Sequence, residues 1–249
     1  INGNGIQDQD EPGINDVTVQ LFNEQKVFLK QTKTANGDDQ TSGIYFFDYL
    51  PSGKYYLRIL VPSAYYVATP SGGSDPGKDS DITHFNGPYT TSTIHLGVKE
   101  QKTDIDIGLY KLGSVNGFVW EDLNGNGLRE VDEPGINEVY VELYDDDSNL
   151  IGSVFTTNDE QTDHEGIFKF DFLDPGNYYL HVNIDEVSEF TCFNAGDDER
   201  DSDITNGNGP GTSSMFLLPS GQSIGSMGAG LSSGGSRISG NVWLDVNGN

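Results

Sequence analysis

The chain repeats itself, and the period of the repeat limits the architectures open to it. NGNGIQDQDEPGIND from Asn2 matches NGNGLREVDEPGINE from Asn124, an offset of 122 residues. SGIYFFDYLPSGKYYLRI in the first half matches EGIFKFDFLDPGNYYLHV in the second. KDSDIT at Lys78 matches RDSDIT at Arg200, again 122 residues on. GFVWEDLNGN at Gly117 recurs as GNVWLDVNGN at Gly240, and these two segments carry the chain's two tryptophans, Trp120 and Trp243. Solenoid repeats run about 20–50 residues, so a period this long belongs to whole domains in tandem. The reading is one complete unit over residues 113–236, a unit over residues 1–112 that lacks its first segment, and a first segment alone over 237–249.

Within a unit the pattern is that of strands. In VYVELYD (Val139–Asp145), Val and Leu alternate with Tyr and Glu. GIFKFDFL alternates around Lys169 and Asp171, and GNYYLHVNI follows the turn residues Asp174, Pro175 and Gly176. Period-two alternation broken by Gly, Pro, Asn and Asp every eight to twelve residues reads as an all-β chain of tandem antiparallel β-sandwiches, Ig-like in type.

The formal charge is −26, carried unevenly: residues 1–112 hold 14 acids and 9 bases, residues 113–236 hold 24 acids and 3 bases. Such a surface repels nucleic acid and anionic lipid and attracts cations. No apolar run approaches the roughly 20 residues of a membrane span. The single cysteine, Cys192, excludes an internal disulfide and a cysteine-based zinc site, and between Thr191 and Phe193 it reads as a small buried hydrophobe.

The acids have a pattern. DLNGNGLREVDE (Asp122–Glu133) matches the twelve-residue calcium loop D-x-[DN]-x-[DN]-G-x5-E without a mismatch. Calcium takes six to eight oxygens, which such a loop supplies from positions 1, 3, 5, 7, 9 and 12. Here these are Asp122, Asn124, Asn126, the main-chain carbonyl of Leu128, Glu130 and Glu133, with Gly127 at the turn. In the first unit Asn2, Asn4, Ile6, Asp8 and Glu11 fill positions 3, 5, 7, 9 and 12, and position 1 falls just before Ile1. No flanking helices are expected, so the loop is no sensor switch that opens a groove. A second calcium site is expected at Asp201 and Asp203, with Asp197 and Asp198 nearby, and at the matching Asp79 and Asp81, with Asp75 nearby. A solvated acidic loop is the alternative there.

GFVWEDLNGNGLREVDEPGINEVYVEL, then EGIFKFDFLDPGNYYL, then DSDIT, resembles the B-type domain of serine-aspartate-repeat surface proteins (SdrD B-like, in the Cna-B-like superfamily), over nearly the whole chain. The resemblance implies a secreted, calcium-binding β-sandwich strung in tandem on a cell surface as a spacer, stalk or adhesin part. Related domains sometimes carry a Lys–Asn isopeptide bond. The complete unit has one lysine, Lys169, and none on Gly117–Trp120, so calcium is expected to stiffen it instead.

The tail repeats the strand that the first unit lacks. Ile238, Val242 and Trp243 would pack into a sandwich like that of residues 1–112, and Asp245 would supply the absent first calcium ligand. Two arrangements fit: the tail of one chain completes the first unit of the next, or the chain is a stretch of a longer tandem polypeptide. In both, the partners are identical subunits or adjacent repeats in a linear array.

Catalytic readings fail. His84, His95, His164 and His181 form no metal motif, and no nucleophile elbow or phosphate loop is present. His181, mid-strand, reads as structural. Ser/Thr/Gly segments at Tyr89–His95, Gly211–Phe216 and Gly228–Ser236 could carry O-linked glycans, and no Asn-x-Ser/Thr sequon exists. The functional reading is an extracellular structural repeat protein of a stalk or filament, not an enzyme. The alternative is an adhesin module for a protein or glycan. The most divergent stretches, Glu24–Gln40 and Asn149–His164, read as polar and without aromatic anchors.

Overall fold

The computed structural model describes residues 2–62, 66–68, 77–186, 188–193 and 199–233. Asp75, Asp197, Asp198 and the tail residues Ile238, Val242, Trp243 and Asp245 lie outside the described residues. Among the described residues fourteen strands run in chain order: β1 (Thr18–Asn23), β2 (Phe28–Lys33), β3 (Gly53–Leu60), β4 (Tyr66–Ala68), β5 (Ile94–Leu96), β6 (Leu109–Lys111), β7 (Gly113–Glu121), β8 (Tyr140–Asp145), β9 (Leu150–Phe155), β10 (Ile167–Leu173), β11 (Gly176–Asn183), β12 (Ser188–Phe190), β13 (Phe216–Leu218) and β14 (Ser223–Ser233). Among the described residues there is no helix, and hence none long and apolar enough to cross a membrane. The expected all-β class holds.

Two compact units form, one mainly from Ile1–Ser114, the other mainly from Val115–Phe170 and Tyr178–Phe216. The first contains the sheet β2-β1-β3-β5 and the pair β4-β6. The second contains two four-stranded sheets, β10-β7-β14-β12 and β13-β11-β8-β9.

The repeat extends to register. In the first unit Val19 faces Ile59 and Leu21 faces Leu57 across β1 and β3. In the second Val141 faces Val182 and Leu143 faces Leu180 across β8 and β11. All eight side chains are buried. A slip of one residue would turn each of these rows to solvent, so the alternating pattern fixes the pairing. Even the irregularity repeats, between Leu21 and Phe22 and between Leu143 and Tyr144.

Strand β7 lies between β10 and β14. Gly117, Phe118, Val119 and Trp120 are buried in succession, so both faces of this strand are covered. Trp120 lies against β14 because that strand is glycine-rich there. A Cβ on Gly230 would fall 2.7 Å from Trp120 Cζ2 and would collide with Thr191 Oγ1. The expectation of purely antiparallel sheets fails at this point. Ser114 N donates to Gln222 O and Asp122 N to Leu231 O, so both partners advance along the chain together. Strands β7 and β14 run parallel.

The first unit differs where β7 would be. Residues 44–50, the counterpart of β10, form no strand beyond an isolated bridge from Ile44 to Ala35. Phe168 and Phe170 are buried on β10, whereas their counterparts Tyr45 and Phe47 are only partly covered.

Two further expectations are corrected. Cys192 is exposed rather than buried; it sits at the end of β12, where its backbone packs against Gly127 and leaves the side chain at the surface. The stretch Glu24–Gln40 is not uniformly polar at its surface, since Val27, Phe28 and Leu29 at the edge strand β2 are exposed. His181 has the structural role expected, its Nδ1 2.9 Å from Glu142 Oε2 across β11 and β8.

Candidate metal centre

The loop Asp122–Glu133 leaves the end of β7 directly after the buried Trp120. Its two terminal acids are buried as well, Asp122 at 2% and Glu133 at 6% exposure. Carboxylates this far from water need compensation, and the loop supplies it from its own backbone. Asp122 Oδ1 accepts from Gly125 N at 2.6 Å and Asn126 N at 3.2 Å, and Oδ2 accepts from Gly127 N at 2.7 Å. Glu133 closes the loop, accepting from Leu123 N at 2.9 Å and Glu130 N at 3.0 Å.

The intervening side chains turn inward too. Asn124 Oδ1 accepts from Asn126 N at 2.9 Å, and Asn126 Oδ1 from Leu128 N at 2.7 Å. Both amide groups donate to Glu130, at 3.3 and 2.7 Å. Gly127 takes φ +80°, and a Cβ there would strike the Cys192 carbonyl, so the sixth position requires glycine twice over. The structure thus draws Asp122, Asn124, Asn126, Glu130 and Glu133 into one connected set, as the spacing predicts.

This set holds three acids, Asp122, Glu130 and Glu133, and no base. Among the described residues neither Asp122 nor Glu133 pairs with a lysine or arginine. Arg129, inside the loop, instead lies 4.4 Å over the Phe118 ring. Burial and the neighbouring Glu130 carboxylate push the Glu133 carboxyl above its usual range, against the backbone donors from Glu130 and Leu123. Among the described residues no three His, Cys, Asp or Glu side chains form a metal-holding group by themselves. The side-chain oxygens that the loop draws together are those of two amides and three acids, hard donors of the kind calcium takes.

Asp201 adds to this. It bridges Leu128 in antiparallel fashion, with Ser202 N donating to Gly127 O. It is 2% exposed, and its Oδ1 is buried without a hydrogen-bond partner. A buried carboxylate oxygen with no donor, beside a loop of acids, is the strongest local fit to a cation. Asp203 is engaged elsewhere, its Oδ2 accepting from Gly228 N at 2.7 Å.

The first unit repeats the loop. Asn4 N and Ile6 N donate to Asn2 Oδ1 and Asn4 Oδ1, Asn2 Nδ2 donates to Asp8 Oδ2 at 3.0 Å, and Asp8 N donates to Glu11 Oε2 at 3.2 Å. Ile6 bridges Asp79 as Leu128 bridges Asp201. Asp81 Oδ2 accepts from Asp106 N at 2.8 Å, matching Asp203 and Gly228. Here an acid stands where the second unit has glycine. Burial, then Asp81, Asp104 and Asp79, push Asp106 up to about 6. The sequence reading missed Asp104 and Asp106; the offset of 122 aligns Asp106 with Gly228, and that substitution was the available signal.

The fold and loop together define a class: tandem β-sandwiches with an acidic twelve-residue loop after the tryptophan strand. The chain belongs to the SdrD B-like domain family, whose model matches residues 1–109 and 113–231. It is 37% identical over 205 residues to serine-aspartate repeat-containing protein F of Staphylococcus epidermidis, covering 81% of this chain and 11% of that protein. It is 33% identical over 204 residues to serine-aspartate repeat-containing protein D of Staphylococcus aureus, covering 81% of this chain and 14% of that protein. The chain thus spans a small part of the length of these relatives. Weaker similarity in shape links it to the minor pilin GBS52 of Streptococcus agalactiae (TM-score 0.31, 12% identity, 96% of this chain and 91% of that one). A second is the shaft pilin SpaA of Lactobacillus rhamnosus GG (TM-score 0.31, 7% identity, 90% of each chain). Family membership places these domains outside the cell, at its surface.

Proposed function

We propose that the chain is a calcium-stiffened segment of a linear extracellular stalk or filament, without catalytic activity. The observation that carries this is the buried, base-free acid set of the complete loop: Asp122 and Glu133 closing it and Asp201, with its orphaned oxygen, beside it. Asp122, Asn124, Asn126, the Leu128 carbonyl, Glu130 and Glu133 would hold the ion, and the ion would supply positive charge to acids that the loop's own Arg129, turned to the Phe118 ring, does not pair. The protein's own part is to close the loop at both ends and tie it to the sandwich through Trp120 and the Leu128–Asp201 bridge. In the first unit Asn2, Asn4, Ile6, Asp8 and Glu11 play the same part.

A ligand that binds the folded state alone stabilises it by about 2.7 kcal/mol at one hundred times its Kd. Chelation is therefore expected to lower the thermal midpoint, and Glu133→Gln to remove part of the calcium-dependent gain. A midpoint indifferent to both chelator and millimolar calcium would sink the reading. The adhesin reading rests on the exposed Val27, Phe28 and Leu29 at β2. Loss of surface binding on replacing them with serine, with the midpoint unchanged, would favour it.

A further inference from the structure

Strand β2 is the outermost strand of its sheet in the first unit, and β9 holds the same place in the second. Phe28 and Leu29 on β2 align with Leu150 and Ile151 on β9, 122 residues on, and all four are exposed. Neither strand lies near an end of the chain, and both have described strands before and after them. A sheet edge presents main-chain donors and acceptors on its outer side. Exposed apolar side chains beside them make such an edge a place for another strand to add.

The two edges differ in charge. Residues 24–33 hold one acid, Glu24, and three bases, Lys26, Lys30 and Lys33, a balance of +2. The aligned residues 146–155 hold two acids, Asp146 and Asp147, and no base, a balance of −2. Glu24 is engaged within its own unit, its Oε1 2.7 Å from Lys54 Nζ. Two further acids, Asp159 and Glu160, follow β9. Lys26, Lys33, Asp147 and Glu160 are all exposed. Like edges therefore repel: β2 against β2 sets lysines together, and β9 against β9 sets carboxylates together. Only β2 against β9 brings opposite signs into contact.

We propose that β2 of one copy of the chain pairs antiparallel with β9 of a second copy, joining a four-stranded sheet of each into one. Each edge already bonds its inner neighbour in the antiparallel sense, which is the more stable per residue. In this alignment Lys33 comes to the Asp146–Asp147 end of β9 and Lys26 to the Asp159–Glu160 end. Leu29 then meets Phe155, and Ile151 meets the aliphatic stem of Lys33, so apolar cross-strand pairs add to the main-chain bonds. One such pairing is small beside the roughly 1,200–2,000 Å² of a standard interface, so a single contact is weak and salt-dependent. Copies joined at two edges hold more firmly than copies joined at one. The pairing rests on the strand edges alone and goes beyond the stalk reading, since it needs no bound ion.

Sedimentation velocity of the full chain, over a range of concentrations at low and high salt with calcium present, tests this. The wild-type chain is expected to associate at low salt and to come apart as salt screens the lysine–carboxylate pairs. Lys26→Glu with Lys33→Glu reverses one edge, and Asp147→Lys with Glu160→Lys reverses the other. Each reversed protein is expected to associate at least about tenfold more weakly than wild type, with its thermal midpoint unchanged. Mixed in equal amounts, the two reversed proteins are expected to associate again, because each offers an edge opposite in sign to one on the other. A wild-type chain that stays monomeric at every concentration would overturn the proposal. So would association that both reversals leave intact, or a mixture that does not recover it. The thermal midpoint reads calcium and sedimentation reads the edges, so the two readings fail separately.

Discussion

Aspartates in this chain sit at neighbouring places and meet different fates. Asp122 is wrapped by three backbone donors, while Asp106 faces three other aspartates, Asp79, Asp81 and Asp104. With its carboxyl raised from 3.8 to about 6, folded Asp106 holds a proton that the unfolded chain has already lost. Stability from this group is therefore highest at low pH and falls as pH rises from about 4 to about 6. In chelator, Asp106→Asn is expected to remove that fall: its midpoint, relative to wild type, should gain between pH 4 and pH 7. A constant difference across that range would show that Asp106 is not the titrating group. Glu142 and Asp145 are held low by their hydrogen-bond donors and act in the opposite sense, so only the difference between the two proteins is informative.

At the level of strands, the paired rows carry the load. Leu143 is fully buried opposite Leu180. Leu143→Ala is expected to cost about 2–5 kcal/mol, read as a shift in the denaturant midpoint. Much of this was legible beforehand. Alternation in VYVELYD located β8, and the offset of 122 carried the same assignment to β1. What remained hidden depends on contacts distant in sequence. No local pattern says that β14 is parallel to β7, because that follows from which strands meet across the sheet. Cys192 reads as a core residue from its neighbours, yet it is exposed, with its carbonyl and Cβ lying against Gly127. Residues 44–50 alternate as β10 does, yet they form no strand beyond the Ile44–Ala35 bridge.

For the molecule as a whole, charge and topology set how the units respond to stress. Residues 113–236 carry 24 acids against 3 bases, residues 1–112 only 14 against 9. Once calcium is removed, self-repulsion is expected to loosen the second unit more. Limited proteolysis in chelator should then cut first within residues 113–236, and preferential cleavage within residues 1–112 in a protein with both units complete would contradict this. The parallel pairing of β7 with β14 bears on force. These are the first and last strands of the second unit, so tension on its two ends slides one along the other. The ladder bonds from Ser114 to Asp122 then bear the pull together, instead of parting one at a time as in a peeled hairpin. Stretched between its termini in a single-molecule experiment, the second unit is expected to resist until this ladder ruptures as a whole, in one step; a gradual yield at low force would contradict the shearing geometry. Under load the β7–β14 ladder would then act as the mechanical clamp of the second unit, giving way all at once or not at all.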